Sequence, residues 1–222
     1  MMRGLIFDFD GLILDTELPI FQSWQEIYQA HGCHLALSTY ATCIGSWAST
    51  FDPYAHLEQQ LGRAVDREEI YRQRRQRSLE LVGQQLVLPG VREYIAEAKR
   101  QGLKLGVASS SPRDWVAGHL ERLGLLDFFD RLKCGDEVTA TKPDPELYLA
   151  VLSALELRAE ETIALEDSPN GVTAAKAAGI FCVAVPNPVT SQLSLDHADL
   201  QLPSLVALPF AEFLQKTRKN LQ

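Results

Sequence analysis

Asp8 and Asp10 stand two residues apart at the end of a short apolar run, Leu5, Ile6, Phe7 and Phe9, which closes on Asp10-Gly11. An acid inside such a run is costly unless it meets a strong partner. Three later segments also close on polar residues: Ser109-Ser110-Ser111-Pro112, the Lys142-Pro143 loop, and Glu166-Asp167-Ser168. Singly, each has a plain structural reading: a turn, a helix N-cap, a surface lysine, or acids at a helix start. Together at one edge of a sheet, they describe a chemical site. Asp8, Asp10 and Asp167, with Glu166, would crowd negative charge that a cation must relieve. Oxygen ligands without His or Cys among them favour Mg²⁺ over zinc. Lys142 adds positive charge, and Ser109 offers a hydroxyl and backbone N–H groups where a helix begins, a ready anion site. A pocket that is acidic without its metal and anion-binding with it suits phosphoryl transfer.

These residues need a scaffold that brings strand ends together. Short β-rich runs at 5–9, 103–108, 131–134, 162–165, 181–185 and near 199–202 alternate with helical periodicity at 91–100, 114–123, 145–155, 171–178 and 208–216. That alternation predicts a Rossmann-like α/β core, a parallel sheet with helices on both faces. Such sheets bind ligands at the carboxyl ends of their strands. From about Glu17 to Leu86 the texture is helical throughout, with Phe21, Trp24, Ile27 and Tyr28 at helical spacing and further helices at 54–61 and 66–82. The expected organisation is a discontinuous core, residues 1–16 and 87–222, with a small all-helical insert, 17–86, after the first strand.

Composition narrows the classes. Of 222 residues, 46% are apolar and 23% charged, too apolar and too mixed for a disordered chain. Lys and Arg number 21 against 29 Asp and Glu, a net charge of −8. An acidic surface argues against nucleic acid and against an anionic membrane. Cys33, Cys43, Cys134 and Cys182 form no C-x-x-C pair and read as isolated thiols. The N-terminus, MMRGLIFDFDG, lacks the pattern of a signal peptide. A cytoplasmic protein, monomeric or weakly dimeric, acting on a small phosphorylated metabolite is the expectation.

The run F-D-F-D-G-L-I-L-D-T-E resembles the first motif of the haloacid dehalogenase-like phosphohydrolases. V-A-S-S-S, T-K-P-D-P and L-E-D-S-P-N-G resemble the remaining motifs, in order. The extension and the position of the insert are similar to the phosphoglycolate phosphatase and β-phosphoglucomutase branch. The resemblance implies Asp8 as the nucleophile that forms an aspartyl-phosphate, and Asp10 as general acid and then base. It implies Mg²⁺ held by Asp8, the Asp10 backbone carbonyl and Asp167, with Glu166 a ligand directly or through water. Ser109 and Lys142 would engage the phosphate, with Gly11 and Ser110 beside them, and the insert would be a cap. Trp47, in the loop Ile44-Gly45-Ser46-Trp47, and Arg74 are candidate substrate contacts from that cap. The cluster Arg72, Arg74, Arg75 and Arg77 is otherwise a solvated face.

The mutase pattern has a His and an Arg in the cap. This chain has Ile20 and Trp47-Ala48 near those positions, which ranks phosphatase above sugar-phosphate mutase. A phospho-acceptor signalling receiver is a third reading, but its acids lie on different strands. A dehalogenase lacks the second acid that Asp10 supplies.

Overall fold

The computed structural model describes residues 2–44 and 51–220. Its centre is one six-stranded sheet of β1 (Gly4–Phe7), β2 (Lys104–Ala108), β3 (Arg131–Lys133), β4 (Thr162–Glu166), β5 (Phe181–Ala184) and β6 (Leu200–Gln201). The order is β3-β2-β1-β4-β5-β6 and every neighbouring pair is parallel. The order reverses between β1 and β4, whose register sets Phe7 beside Leu165. The crevice beyond their carboxyl ends is where such sheets take ligands.

Side-chain alternation along the strands decides what each face of the sheet packs against. Leu5 and Phe7 join one core with Leu105, Val107, Ile163 and Leu165. That face is covered by α5 (Val91–Arg100), α6 (Arg113–Arg122) and α9 (Phe210–Asn220). Ile6, Ala108, Ala164 and Ala184 look the other way, onto α7 (Glu146–Leu155) and α8 (Pro169–Ala177). Small residues on that face let the helices come close. A Cβ on Gly106 would meet Val151 Cγ1 at 2.5 Å. The expected α/β core with helices on both faces is therefore present.

Between β1 and α5 lie α1 (Glu17–Ala30), α2 (Leu37–Ala41), α3 (Pro53–Leu61) and α4 (Arg67–Gly83). Local signals account for their limits. Asp52 caps α3 by accepting from Tyr54 N–H, Pro53 opens it, and Gly62 closes it at φ 67°. Asp66 caps α4 in the same way through Glu69 N–H. These helices bury their own apolar cluster, with Phe21, Trp24, Tyr28, Tyr40, Leu57 and Ile70 at its heart. Val189, from the segment after β5, is the buried residue from outside 17–86 that joins it. The outgoing and returning chains meet in an antiparallel bridge between Leu14 and Val87, and Leu88 N–H donates to Ile13 O.

Two details depart from the sequence reading. β1 ends at Phe7, not Phe9, because the chain leaves the sheet there. Asp8 N–H still donates to Leu165 O, but Gly11 N–H then turns back to Leu14 O. The five-residue α2 was not anticipated; it has no side-chain cap to mark its start. No helix among the described residues is long and apolar enough to cross a membrane.

Leu165 has no exposed surface and lies on β4, between β1 and β5. Leu165→Ala is expected to lower stability by about 2–5 kcal/mol, read from urea unfolding. A loss below about 0.5 kcal/mol would contradict its central place in the core.

Candidate active site

At the edge between β1 and β4 the polar strand ends converge. Asp8 follows β1, Glu166 ends β4, and Asp167 follows it; all three are buried, as is Lys142. The Lys142 ammonium donates to Asp8 Oδ1 and, at 2.6 Å, to Glu166 Oε1. Glu166 is saturated. Its Oε1 also accepts from Tyr148 O–H at 2.6 Å, and its Oε2 from Asp167 N–H at 3.2 Å and Ser168 O–H at 3.4 Å. Asp167 Oδ2 accepts from the Asn187 amide at 2.7 Å. Asn187 is fixed in turn by Val189 and Thr190 N–H groups on its Oδ1, and its amide also donates to Gly11 O at 3.2 Å.

Gly11 is needed for this arrangement. Its φ is 86°, and a Cβ there would lie 2.3 Å from Asp167 Oδ2 and 2.6 Å from Asn187 Nδ2. The structure thus gives Gly11 a place behind Asp167, not in the wall of the cavity described below.

Asp10 is held by three donors. Ser111 O–H (2.7 Å) and Ser109 O–H (3.3 Å) give to Oδ2, and Trp115 Nε1–H (3.0 Å) gives to Oδ1. Ser109 Oγ accepts in turn from Ser111 N–H at 3.1 Å. The loop between β2 and α6 thereby sets the rotamer of an acid on the neighbouring strand end.

The charge balance of the cluster is unfavourable as it stands. Carboxylate oxygens of Asp8, Glu166 and Asp167 lie within 4.8 Å of one another. One ammonium faces three acids. Burial pushes the Asp8 carboxyl up to about 8; Lys142 opposes this, while Glu166 and Asp10 add to it. Burial, then Asp8 and Glu166, push Asp167 well above the usual carboxylate range. Asp8 is therefore raised although it is ion-paired, because burial outweighs what Lys142, shared with Glu166, gives back. Burial also works against the Lys142 charge, but Asp8 and Glu166 outweigh it and hold its pKa above that of an ordinary lysine. A divalent cation beside Asp8 and Asp167 would supply the missing positive charge, so the donor set fits Mg²⁺.

A cavity of about 440 Å³ opens above these groups, lined by Asp8, Asp10, Ser109, Ser110, Lys142 and Asp167 among others. Its other wall comes from Thr16, at the end of the core segment, and from the helical insert, through Glu17, Ile20, Cys43 and Ile44. Most of the residues singled out in the sequence are thus brought together. Glu166 lies beneath the floor. Arg74 is not in the lining; its guanidinium lies over the Trp24 ring, 5.2 Å from the centroid. Arg72 and Arg77 pair with Glu69 and Glu26. Trp47 lies outside the described residues.

Ser111, Trp115, Tyr148 and Asn187 were not singled out. Ser111 sits inside the Ser-Ser-Ser-Pro run, and Asn187 follows β5 in a Pro-Asn-Pro segment, so strand-end position was a usable signal for both. Trp115 and Tyr148 are on helices and carried none.

The model of the haloacid dehalogenase-like hydrolase family matches residues 5–185. A Bacillus subtilis (strain 168) protein named "Putative phosphatase YhcW" is 44% identical over 214 residues, 96% of this chain and 97% of its own. Hexitol phosphatase B of Escherichia coli (strain K12) is 32% identical, over 94% of this chain and 95% of its own. Among solved structures, one from Thermotoga maritima described as a "putative beta-phosphoglucomutase" superposes with a TM-score of 0.77 at 27% identity, covering 97% of this chain and 99% of that one. The chain belongs to the haloacid dehalogenase-like hydrolases. Kinship at this level across nearly its whole length supports a phosphohydrolase enzyme.

Lys142→Met would leave Asp8 and Glu166 buried without their shared cation. A loss of about 3–5 kcal/mol in chemical denaturation is expected. Unchanged stability would show that the acids do not depend on this ammonium.

Proposed function

We propose that the protein is a Mg²⁺-dependent phosphatase that hydrolyses a small phosphomonoester through an aspartyl-phosphate on Asp8. The observation that carries this reading is Asp8 itself. Its carboxylate is held by Lys142 at the floor of a cavity, with Asp10 two residues on and Asp167 within ligand distance. Asp8 attacks phosphorus in line, and the bond to the leaving oxygen breaks as Asp10 gives that oxygen a proton. Asp10 then takes a proton from the water that cleaves the acyl-phosphate, releasing phosphate and restoring Asp8. Ser109, whose hydroxyl now serves Asp10, is the donor a phosphoryl oxygen would claim. Lys142 offsets charge on Asp8 and on the transferring group.

Asp8, the Asp10 backbone carbonyl and Asp167 would hold Mg²⁺, which supplies charge neutralisation at the phosphoryl group. Glu166 serves this site first by holding Lys142. Ligation by Glu166, direct or through water, would have to loosen one of its four hydrogen bonds.

Residues 17–86 act as a cap on the core formed by 1–16 and 87–222. The antiparallel bridge between Leu14 and Val87 is the connection, and Glu17, Ile20, Cys43 and Ile44 reach into the cavity from that side. Closure over the phosphate would exclude bulk water. Ile20 puts an apolar side chain where the mutase pattern has a histidine, which supports hydrolysis over phosphoryl return to a second sugar. The net charge of −8 suits a small-molecule partner, with no nucleic acid or membrane surface involved.

Asp8→Asn should reduce Mg²⁺-dependent phosphate release to background while the circular dichroism spectrum stays that of the wild type. Normal turnover by this variant would remove Asp8 as nucleophile. A second expectation concerns pH. Asp8 rises from 3.8 to about 8 on folding, and Asp167 rises as well. Groups raised on folding contribute stability that is fully present below about pH 4 and is lost as pH climbs toward 8. Mg²⁺ binds the ionised acids and opposes that loss. The gain in Tm from Mg²⁺ over EDTA should therefore be small at pH 5 and larger at pH 8 by differential scanning fluorimetry. Equal gains at both pH values would contradict the charge balance described.

A further inference from the structure

The apolar cluster of the helical insert takes in one buried residue from the core, Val189, which has no exposed surface. Leu193 packs against the same cluster, and the short 3₁₀ turn between them, Thr190–Gln192, runs beside α2. Two residues before Val189 stands Asn187, whose amide donates to Asp167 Oδ2 at 2.7 Å. The segment 187–193 thus has one end in the insert and the other on a carboxylate of the active site.

The side chain of Asn187 suits the transmission of position. It is 5% exposed, and each of its polar groups is engaged. Its Oδ1 accepts from Val189 N–H at 2.9 Å and from Thr190 N–H at 3.0 Å. Its amide donates to Asp167 and, at 3.2 Å, to Gly11 O. Its own N–H donates to Thr190 Oγ1 at 3.0 Å, and its carbonyl accepts from Ser191 N–H at 2.9 Å. An asparagine side chain offers two donors and two lone pairs, and all four are in use. Pro186 and Pro188 restrict the backbone on either side. A turn that only had to close could have used an apolar residue and avoided burying an amide.

The two groups that the amide reaches belong to the two loops that would offer ligands to Mg²⁺. Asp167 is one ligand, and Gly11 follows Asp10, whose backbone carbonyl is another. One hydrogen bond to each loop sets their spacing. Residues that bond to metal ligands orient them for the metal. Val189, held by the insert, is joined to this clamp through a single intervening residue, Pro188.

We propose that Asn187 is a positioning residue for the Mg²⁺ site, and that the turn 187–190 links the position of the cap to the affinity for Mg²⁺. The proposal rests on the Mg²⁺ reading above. A shift of the cap moves Val189, and with it a side chain bonded to both ligand loops. The effect is reciprocal: a seated cap strengthens Mg²⁺ binding, and bound Mg²⁺ favours the seated cap by the same factor.

The test is the Kd of Mg²⁺ alone, by calorimetric titration of the full chain without substrate. Each variant is measured well below its Tm, with folding checked by circular dichroism. Asn187→Ala should bind Mg²⁺ about 10–100-fold more weakly than wild type, the usual effect of losing a group that orients a metal ligand. Val189→Ala removes only methyl groups inside the cap cluster, yet it should weaken Mg²⁺ by at least about threefold, within the range for residues that carry coupling between sites. Leu57→Ala, in the same cluster but on α3, should lower Tm and leave the Kd within about twofold, as an independent site does. A folded Asn187→Ala with wild-type Kd overturns the positioning role. A wild-type Kd in Val189→Ala, or an equal weakening in Leu57→Ala, overturns the link through the turn; these two variants decide that link even where Asn187→Ala fails to fold. No Mg²⁺ binding by the wild type removes the Mg²⁺ reading, and this proposal with it.

Discussion

One ammonium group, Lys142 Nζ, is buried between Asp8 and Glu166, with Asp167 close by. Taking ions out of water costs several kcal/mol each, and the cost is recovered only with good geometry and full hydrogen bonding. Glu166 meets that condition, with four donors on its two oxygens. Asp8 and Asp167 do not, and their raised pKa values express the shortfall. A cluster that holds too little positive charge is a poor way to stabilise a fold. It is a good way to bind a divalent cation and, through it, a phosphate.

The sheet exists in the form that makes this possible. β1 and β4 are neighbours at the point where strand order reverses, so two acidic strand ends open into one crevice. The supporting loops then remove freedom. Ser109, Ser111 and Trp115 orient Asp10, while Asn187 ties Asp167 to the Asp10-Gly11 turn. Gly11 makes the close approach possible. The insert completes the enclosure from the opposite side.

Much of this was legible in the sequence, because strand ends are marked by an abrupt change from apolar to polar residues. Asp8, Asp10, Ser109 and Asp167 follow that rule, while Lys142 comes from the loop between β3 and α7. The supports were less visible for a physical reason. Trp115 and Tyr148 act from helices, where an aromatic residue at helical spacing looks like core, and nothing local marks a side chain that reaches a neighbouring strand end. Glu166 reads as one more acid of the cluster, whereas the structure makes it the anchor of Lys142. The arginines of α4 read as a group, yet in space they separate. Arg72 and Arg77 form surface pairs, Arg74 stacks on Trp24, and Arg75 borders a neighbouring cavity. The net charge of −8 suggested a chain that repels anions, and it describes the exterior well. It says little about a pocket where a lysine is already buried and a cation is called for.

The most direct test of this charge balance is calorimetric titration of Mg²⁺ into the protein near pH 7, in two buffers of different ionisation enthalpy. Binding should release about one proton, because an acid held partly protonated by its neighbours must ionise to become a ligand. Asp167→Asn should abolish the binding. Mg²⁺ binding with no proton released, or binding that survives in Asp167→Asn, would contradict a site organised around carboxylates that one buried lysine cannot balance.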